Sequence, residues 1–148
     1  MAVYKFDKIL GIEVPASDEL VTYLNDLIKK YKFPPVELQL NNGIVSISGD
    51  LPDQSTLERL ALLLGNVVGV CEVNADNIHL EKNVVPTKVT RFYQVIRGDS
   101  LWKIAEKIYG PTHGDKYKII LEANKPFMTH ADDIFPGQII RIPNIDIV

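Results

Sequence analysis

Phe92-Tyr93-Gln94-Val95, followed by Arg97-Gly98-Asp99-Ser100-Leu101-Trp102, begins the stretch that decides the fold, and Phe135-Pro136-Gly137-Gln138 with Ile140 and Ile142 closes it. Tyr93 and Val95 alternate with polar Gln94, the period-two pattern of a half-buried strand. Gly98 permits a turn that a β-carbon would obstruct, and Asp99 or Ser100 can cap the helix that follows. Leu101, Ile104, Ala105 and Ile108 recur at i, i+3, i+4 and i+7, which makes one apolar helix face. Gly110 and Pro111 end that helix. Tyr117, Ile120 and Leu121 mark a second short helix that stops near Asn124 and Pro126. Pro136-Gly137 is a turn dipeptide, and Ile140 and Ile142 form the return strand, halted at Pro143.

This order of motifs resembles the LysM domain, a β-α-α-β module. The resemblance implies binding of the N-acetylglucosamine backbone of peptidoglycan or chitin. The implied groove lies between the first strand–helix loop, with Gly98, Asp99, Ser100 and Leu101, and the second helix–strand loop, with Phe127, Met128, Ile134 and Phe135. Read as residues alone, Leu101, Trp102 and Ile134 are equally good core or edge positions.

Upstream, Pro15 and Ser17 introduce a helix over about residues 18–31. Leu20, Val21, Leu24, Leu27, Ile28 and Tyr31 fall on one stripe of it. Asp18 and Glu19 stand at its start and Lys29 and Lys30 at its end, as the helix dipole favours, and Pro34-Pro35 stops it. Val36 to Leu40 alternates strictly, as does Val45 to Ser48, and the Asn42-Gly43 pair between them is a strong hairpin signal. Gly49-Asp50-Leu51-Pro52 leads into a Leu-rich helix over 53–64, with Gly65 as its stop. A third strand starts at Cys71 and can run through Ile78 to Leu80. Val3, Phe6, Ile9 and Leu10 fit one apolar helical turn ended by Gly11. The hairpin ending Val45-Ser46-Ile47-Ser48-Gly49, the Leu-rich helix and Gly65-Asn66-Val67-Val68-Gly69-Val70 resemble, in that order, a BON domain. The expected class is α+β: an α-β-β-α-β sandwich over 1–80, a linker over 81–90 and the LysM module over 91–148.

Composition narrows the function. At 148 residues, 46% hydrophobic and 24% charged, the chain reads as soluble and globular. No apolar run approaches the ~20 residues needed to span a bilayer. The N-terminus does not look like a secretory signal, and single Cys71 fits a reducing compartment, so the expected location is the cytoplasm. Residues 1–80 carry six Lys/Arg against eleven Asp/Glu, and residues 81–148 carry ten against eight. Neither part has the basic stripe that nucleic acid requires. His79, His113 and His130 lack metal-ligand spacing and read as surface residues. Glu72 beside Cys71 disfavours a thiolate, so Cys71 reads as a buried or half-buried structural residue. Asp132-Asp133 reads as solvated. With no nucleophile elbow, P-loop or dinucleotide fingerprint, the chain is expected not to be an enzyme.

Over nearly its full length the chain resembles a family of small bacterial potassium-binding proteins of BON–LysM architecture. Phe6, Lys8, Gly11, the Gly65–Val70 loop and the terminal Pro-Gly-Gln and Ile-Pro carry that resemblance. The stretch between Gly11 and the first long helix is shorter than the family's. The resemblance implies that backbone carbonyls hold K⁺, at Asp7, Lys8 and Leu10 from the N-terminal segment and at Gly65, Val67 and Val70 from the loop. It also implies a monomeric ion sensor or buffer that compacts on binding. The alternatives are a glycan-binding LysM protein and a protein-interaction adaptor.

Overall fold

In the computed structural model, which describes residues 3–6, 17–67, 69–82 and 90–145, the chain divides into two compact units, Met1–Val84 and Val85–Val148. Of the stretch expected as a linker, residues 83–89 lie outside the described residues.

The first unit follows its hydrophobic periods. Helix α1 spans Ser17–Lys30 and buries Leu20, Leu24 and Ile28. Strands β2 (Glu37–Asn41) and β3 (Ile44–Leu51) pair antiparallel from Asn41↔Ile44 outward. Asn42 and Gly43 have φ of 50° and 80°. Two positive φ values make the tight hairpin turn whose twist matches the strands. Helix α2 spans Gln54–Gly65, with the Asp53 carboxylate accepting from Thr56 N–H. Strand β4 (Glu72–Leu80) then pairs parallel with β3.

Strand β3 is longer than its hairpin signal suggests. Gly49, Asp50 and Leu51 continue it, opposite Ile78, His79 and Leu80. The β3–β4 register slips between Ser46 and Ser48, where Ser46 faces Asn74 and Ser48 faces Asn77. One extra residue in a strand inverts the side-chain parity beyond it. Val73 and Ala75 are buried before the slip, whereas Ile78 and Leu80 are the less exposed positions after it. The Asn74 side chain accepts from Asp76 N–H at 2.9 Å inside the bulge.

The helical turn expected at the N-terminus is corrected. Val3–Lys5 is strand β1, antiparallel to β4 with Tyr4 opposite Val73. A single helical turn is marginal alone, while a sheet edge offers ladder bonds at once. Phe6 extends the pairing by donating to Cys71 C=O at 2.9 Å. Ile9 and Leu10 lie outside the described residues. The sheet order is β1-β4-β3-β2, so the strand missed by periodicity flanks the central pair.

In the second unit, β5 (Arg91–Gln94), α3 (Leu101–Tyr109), a 3₁₀ turn (Gly114–Lys116), α4 (Tyr117–Ala123) and β6 (Ile139–Ile142) follow the expected order. Strands β5 and β6 pair antiparallel. Val95, Leu101, Ile104, Ala105, Ile120, Met128, Ile140 and Ile142 form the core. Beside it, buried Asn124 donates to the carbonyls of Ile120 and Arg141 and accepts from Arg141 N–H. The buried Arg141 guanidinium donates to Ala123 C=O at 2.7 Å. These bonds satisfy the end of α4 and fix it to β6. The architecture is α+β throughout.

Candidate functional site

The α2–β4 loop is where the sequence-predicted ion residues Gly65, Val67 and Val70 meet the rest of the first unit. Asp7, Lys8 and Leu10 lie outside the described residues. Gly65 is not the helix stop expected of it. It is the last residue of α2, and Asn66 caps the helix at φ −81°. Its reason for being glycine is space: a Cβ there would lie 2.0 Å from the Phe6 ring. Phe6 is 4% exposed, so the residue just before Asp7 is sealed against the residue that opens the loop.

Beyond Gly65 the loop is held by backbone bonds. Val67 N–H donates to Leu64 C=O, and Val70 N–H donates to Val67 C=O at 3.1 Å. A carbonyl carries two lone pairs, so the Val67 oxygen can accept this bond and still face a cation. The Val67 and Val70 side chains are buried and anchor the loop from inside. Gly69 sits at φ +102°, close to the Leu20 side chain. Cys71 is bonded at both ends of its residue: its N–H donates to Gly43 C=O at 2.8 Å, and its carbonyl accepts from Phe6. Two segments distant in sequence therefore converge on this loop as it leaves α2: the N-terminal strand and the hairpin tip. Neither Phe6 as a lid on Gly65 nor Gly43 as a brace was readable as such. The Asn-Gly pair announced a turn but not what the turn would touch.

Cys71 is exposed, a correction to its expected burial. It stands at the loop end of β4, one residue before the strand begins, and the burial seen at Val73 and Ala75 does not extend to it. His79 lies 3.4 Å from Asp50 with both side chains well exposed. Among the described residues, no group of three or more His, Cys, Asp or Glu could hold a metal ion.

The β5–α3 loop of the second unit is built from side chains. Ser100 caps α3 by accepting from Lys103 N–H at 3.1 Å. Asp99 instead accepts from Tyr93 OH at 2.7 Å, Ile96 N–H at 2.9 Å and Lys107 Nζ at 3.1 Å. Its side chain is 4% exposed. Burial pushes the Asp99 carboxyl up, but the bonds from Ile96, Tyr93 and Lys107 outweigh it and hold the carboxyl below its ordinary range. Burial raises the Tyr93 phenol, and the bonds to Tyr93 and Asp99 raise Lys107.

Of the predicted groove residues, Gly98 has open space where a Cβ would stand. Leu101 and Met128 are core residues, with Phe127 and Ile134 packed partly buried against that core. Phe135 N–H donates to the buried Gln138 side chain at 3.2 Å. In the neighbouring loop, bonds from the Thr129 and His130 N–H groups hold Asp133 below the ordinary carboxylate range. Asp133 is exposed, as expected, and also organises a turn.

A strand–helix–helix–strand unit with an Asp-braced first loop defines the class, and residues 93–143 match the LysM domain family. No helix among the described residues is long and apolar enough to cross a membrane. The chain is 35% identical over 108 residues to the potassium binding protein Kbp of Escherichia coli O6:H1, an alignment covering 73% of this chain and 68% of that one. The chain belongs to the Kbp family.

Proposed function

We propose that this chain is a non-enzymatic K⁺-binding protein in which backbone carbonyls of the first unit hold the ion. Its relationship to a potassium binding protein carries the reading. K⁺ is large and weakly hydrated, and neutral carbonyl dipoles can replace its water shell. Gly65, Val67 and Val70 would supply carbonyls from the loop, and Asp7, Lys8 and Leu10 from the segment that Phe6 leads into. The seal of Phe6 on Gly65 and the Phe6–Cys71 bond support this grouping, since they hold the residue before Asp7 against the loop. An ion bridging the two favours the docked state, so binding is linked to compaction, as a sensor or buffer needs. The first unit reads as a BON domain, and the lone exposed thiol fits a reducing compartment such as the cytoplasm.

The test is a ¹H–¹⁵N titration of the full chain with KCl and NaCl at matched ionic strength. Saturable shifts with KCl alone, centred on residues 3–11 and 65–72, are expected. Equal and linear shifts with both salts would sink the reading. A second reading, glycan binding, is favoured by the LysM match and the open space over Gly98. The same spectra with chitin oligomers address it, and unmoved amides over 97–101 and 125–136 remove it.

A further inference from the structure

We propose that Gly43, at the tip of the β2–β3 hairpin, is a positioning residue for the ion loop and sets its preference for K⁺ over Na⁺. The inference rests on the potassium reading of that loop. Gly43 C=O accepts from both Cys71 N–H, at 2.8 Å, and Glu72 N–H, at 3.3 Å. The hairpin tip thus fixes where the loop ends and β4 begins. The approach is close on the other side as well. A Cβ on Gly43 would lie 3.3 Å from the Gly69 carbonyl oxygen and 3.0 Å from Cys71 Sγ. The sulfur ends an exposed side chain and can swing away, but the Gly69 oxygen is backbone and moves only with the loop. Gly69 stands between Val67 and Val70, two of the proposed ligands. A displacement of a few tenths of an ångström there alters the spacing of the oxygens without removing any of them.

Spacing is what discrimination depends on. K⁺ and Na⁺ carry the same charge and differ in size and hydration, so a carbonyl site separates them by the number, reach and field strength of its oxygens. A loop free to contract would suit the smaller ion. Gly43 opposes contraction by holding the Cys71 end of the loop from the β3 side, with Phe6 on the β1 side. Its own backbone, at φ +80°, also favours glycine, which is why two substitutions are needed. Gly43→Ala carries both strain and the new contact. Gly43→Asn brings the same Cβ with a side chain that tolerates a left-handed backbone, as Asn42 already does at φ 50°. Asn42→Gly relaxes the same turn, leaves the Gly43 contacts in place and serves as the control.

The experiment measures affinity for KCl and for NaCl, with thermal unfolding in ion-free buffer, on the full chain and the three variants. Both Gly43 variants are expected to lose at least about tenfold in K⁺ affinity and to narrow the K⁺/Na⁺ ratio, while Asn42→Gly stays within about twofold. A folded Gly43→Asn with wild-type affinity and ratio overturns the inference. Weakened binding of both ions at an unchanged ratio also overturns it, as does failure of both Gly43 variants to fold, because the residue is then only structural. A wild-type chain that does not respond to KCl is a different outcome: it overturns the potassium reading itself, and the inference with it.

Discussion

Phe6 against Gly65 in the first unit and Trp102 against Gly114 in the second are the same kind of contact with different freedom. In each, an aromatic ring lies where a β-carbon would stand, 2.0 Å away for Gly65 and 2.3 Å for Gly114. Phe6 is enclosed, 4% exposed, while Trp102 is 50% exposed and rests on Tyr117 with ring centroids 5.9 Å apart. An enclosed ring transmits any change at its glycine to the backbone around it. A half-exposed ring can turn outward and absorb the change. The first unit thus has a loop fixed by backbone proximity, and the second has one fixed by polar side chains around Asp99.

The sharpest test of that contrast is Gly65→Ala. With no room for the Phe6 ring to retreat, the variant should lose about 3 kcal/mol in urea unfolding of the first unit, and Phe6→Leu in the same background should restore part of it. A loss below about 1 kcal/mol would show that the ring is free after all.

Asp99→Asn is expected to be next in size and to act on the second unit. Tyr93 OH, Ile96 N–H and Lys107 would share a single amide oxygen, at a cost of about 2 kcal/mol near neutral pH. The wild-type carboxyl titrates below its ordinary value of 3.8 when folded. Its contribution is therefore complete above that value and is lost as pH falls through the lower folded one. Asp99→Asn should flatten the acid loss of stability below about pH 4. The flattening is partial, because Asp53 and Asp133 are held low as well. Wild-type and variant curves of equal acid slope would break the assignment.

Gly114→Ala should be the mildest, about 1 kcal/mol, with Trp102 fluorescence shifting red as the indole swings into water. An effect as large as that of Gly65→Ala would erase the distinction between the two contacts.

Periodicity and turn chemistry made most of the elements legible. The Asn42-Gly43 turn, both long amphipathic helices and the whole order of the second unit follow from local rules. Elements defined by distant partners were harder to read. Strand β1 has three residues and no alternation to speak of, and only its pairing with Glu72–Asn74 identifies it. The run of β4 to Leu80 was legible, but the bulge at Asn74–Asn77, which changes its parity midway, shows only in the pairing with β3. Gly65 carried a signal, but with two physical meanings, helix stop and close approach, and only the position of Phe6 separates them. Leu101 and Met128 matched a family pattern for a groove, whereas their burial gives them to the core. The proposed ion ligands are backbone oxygens, which no residue type advertises.

The pairing of β1 with β4 also has a consequence for how the molecule is made. Val3–Lys5 is synthesised before its partner Glu72–Asn74, which lies nearly seventy residues later. At ordinary elongation rates the strand waits roughly 3 to 13 s before that partner exists. Closing so long a loop makes β1 a late arrival in folding. By the same reasoning, the Phe6 seal over Gly65 forms only after the loop it covers has been synthesised.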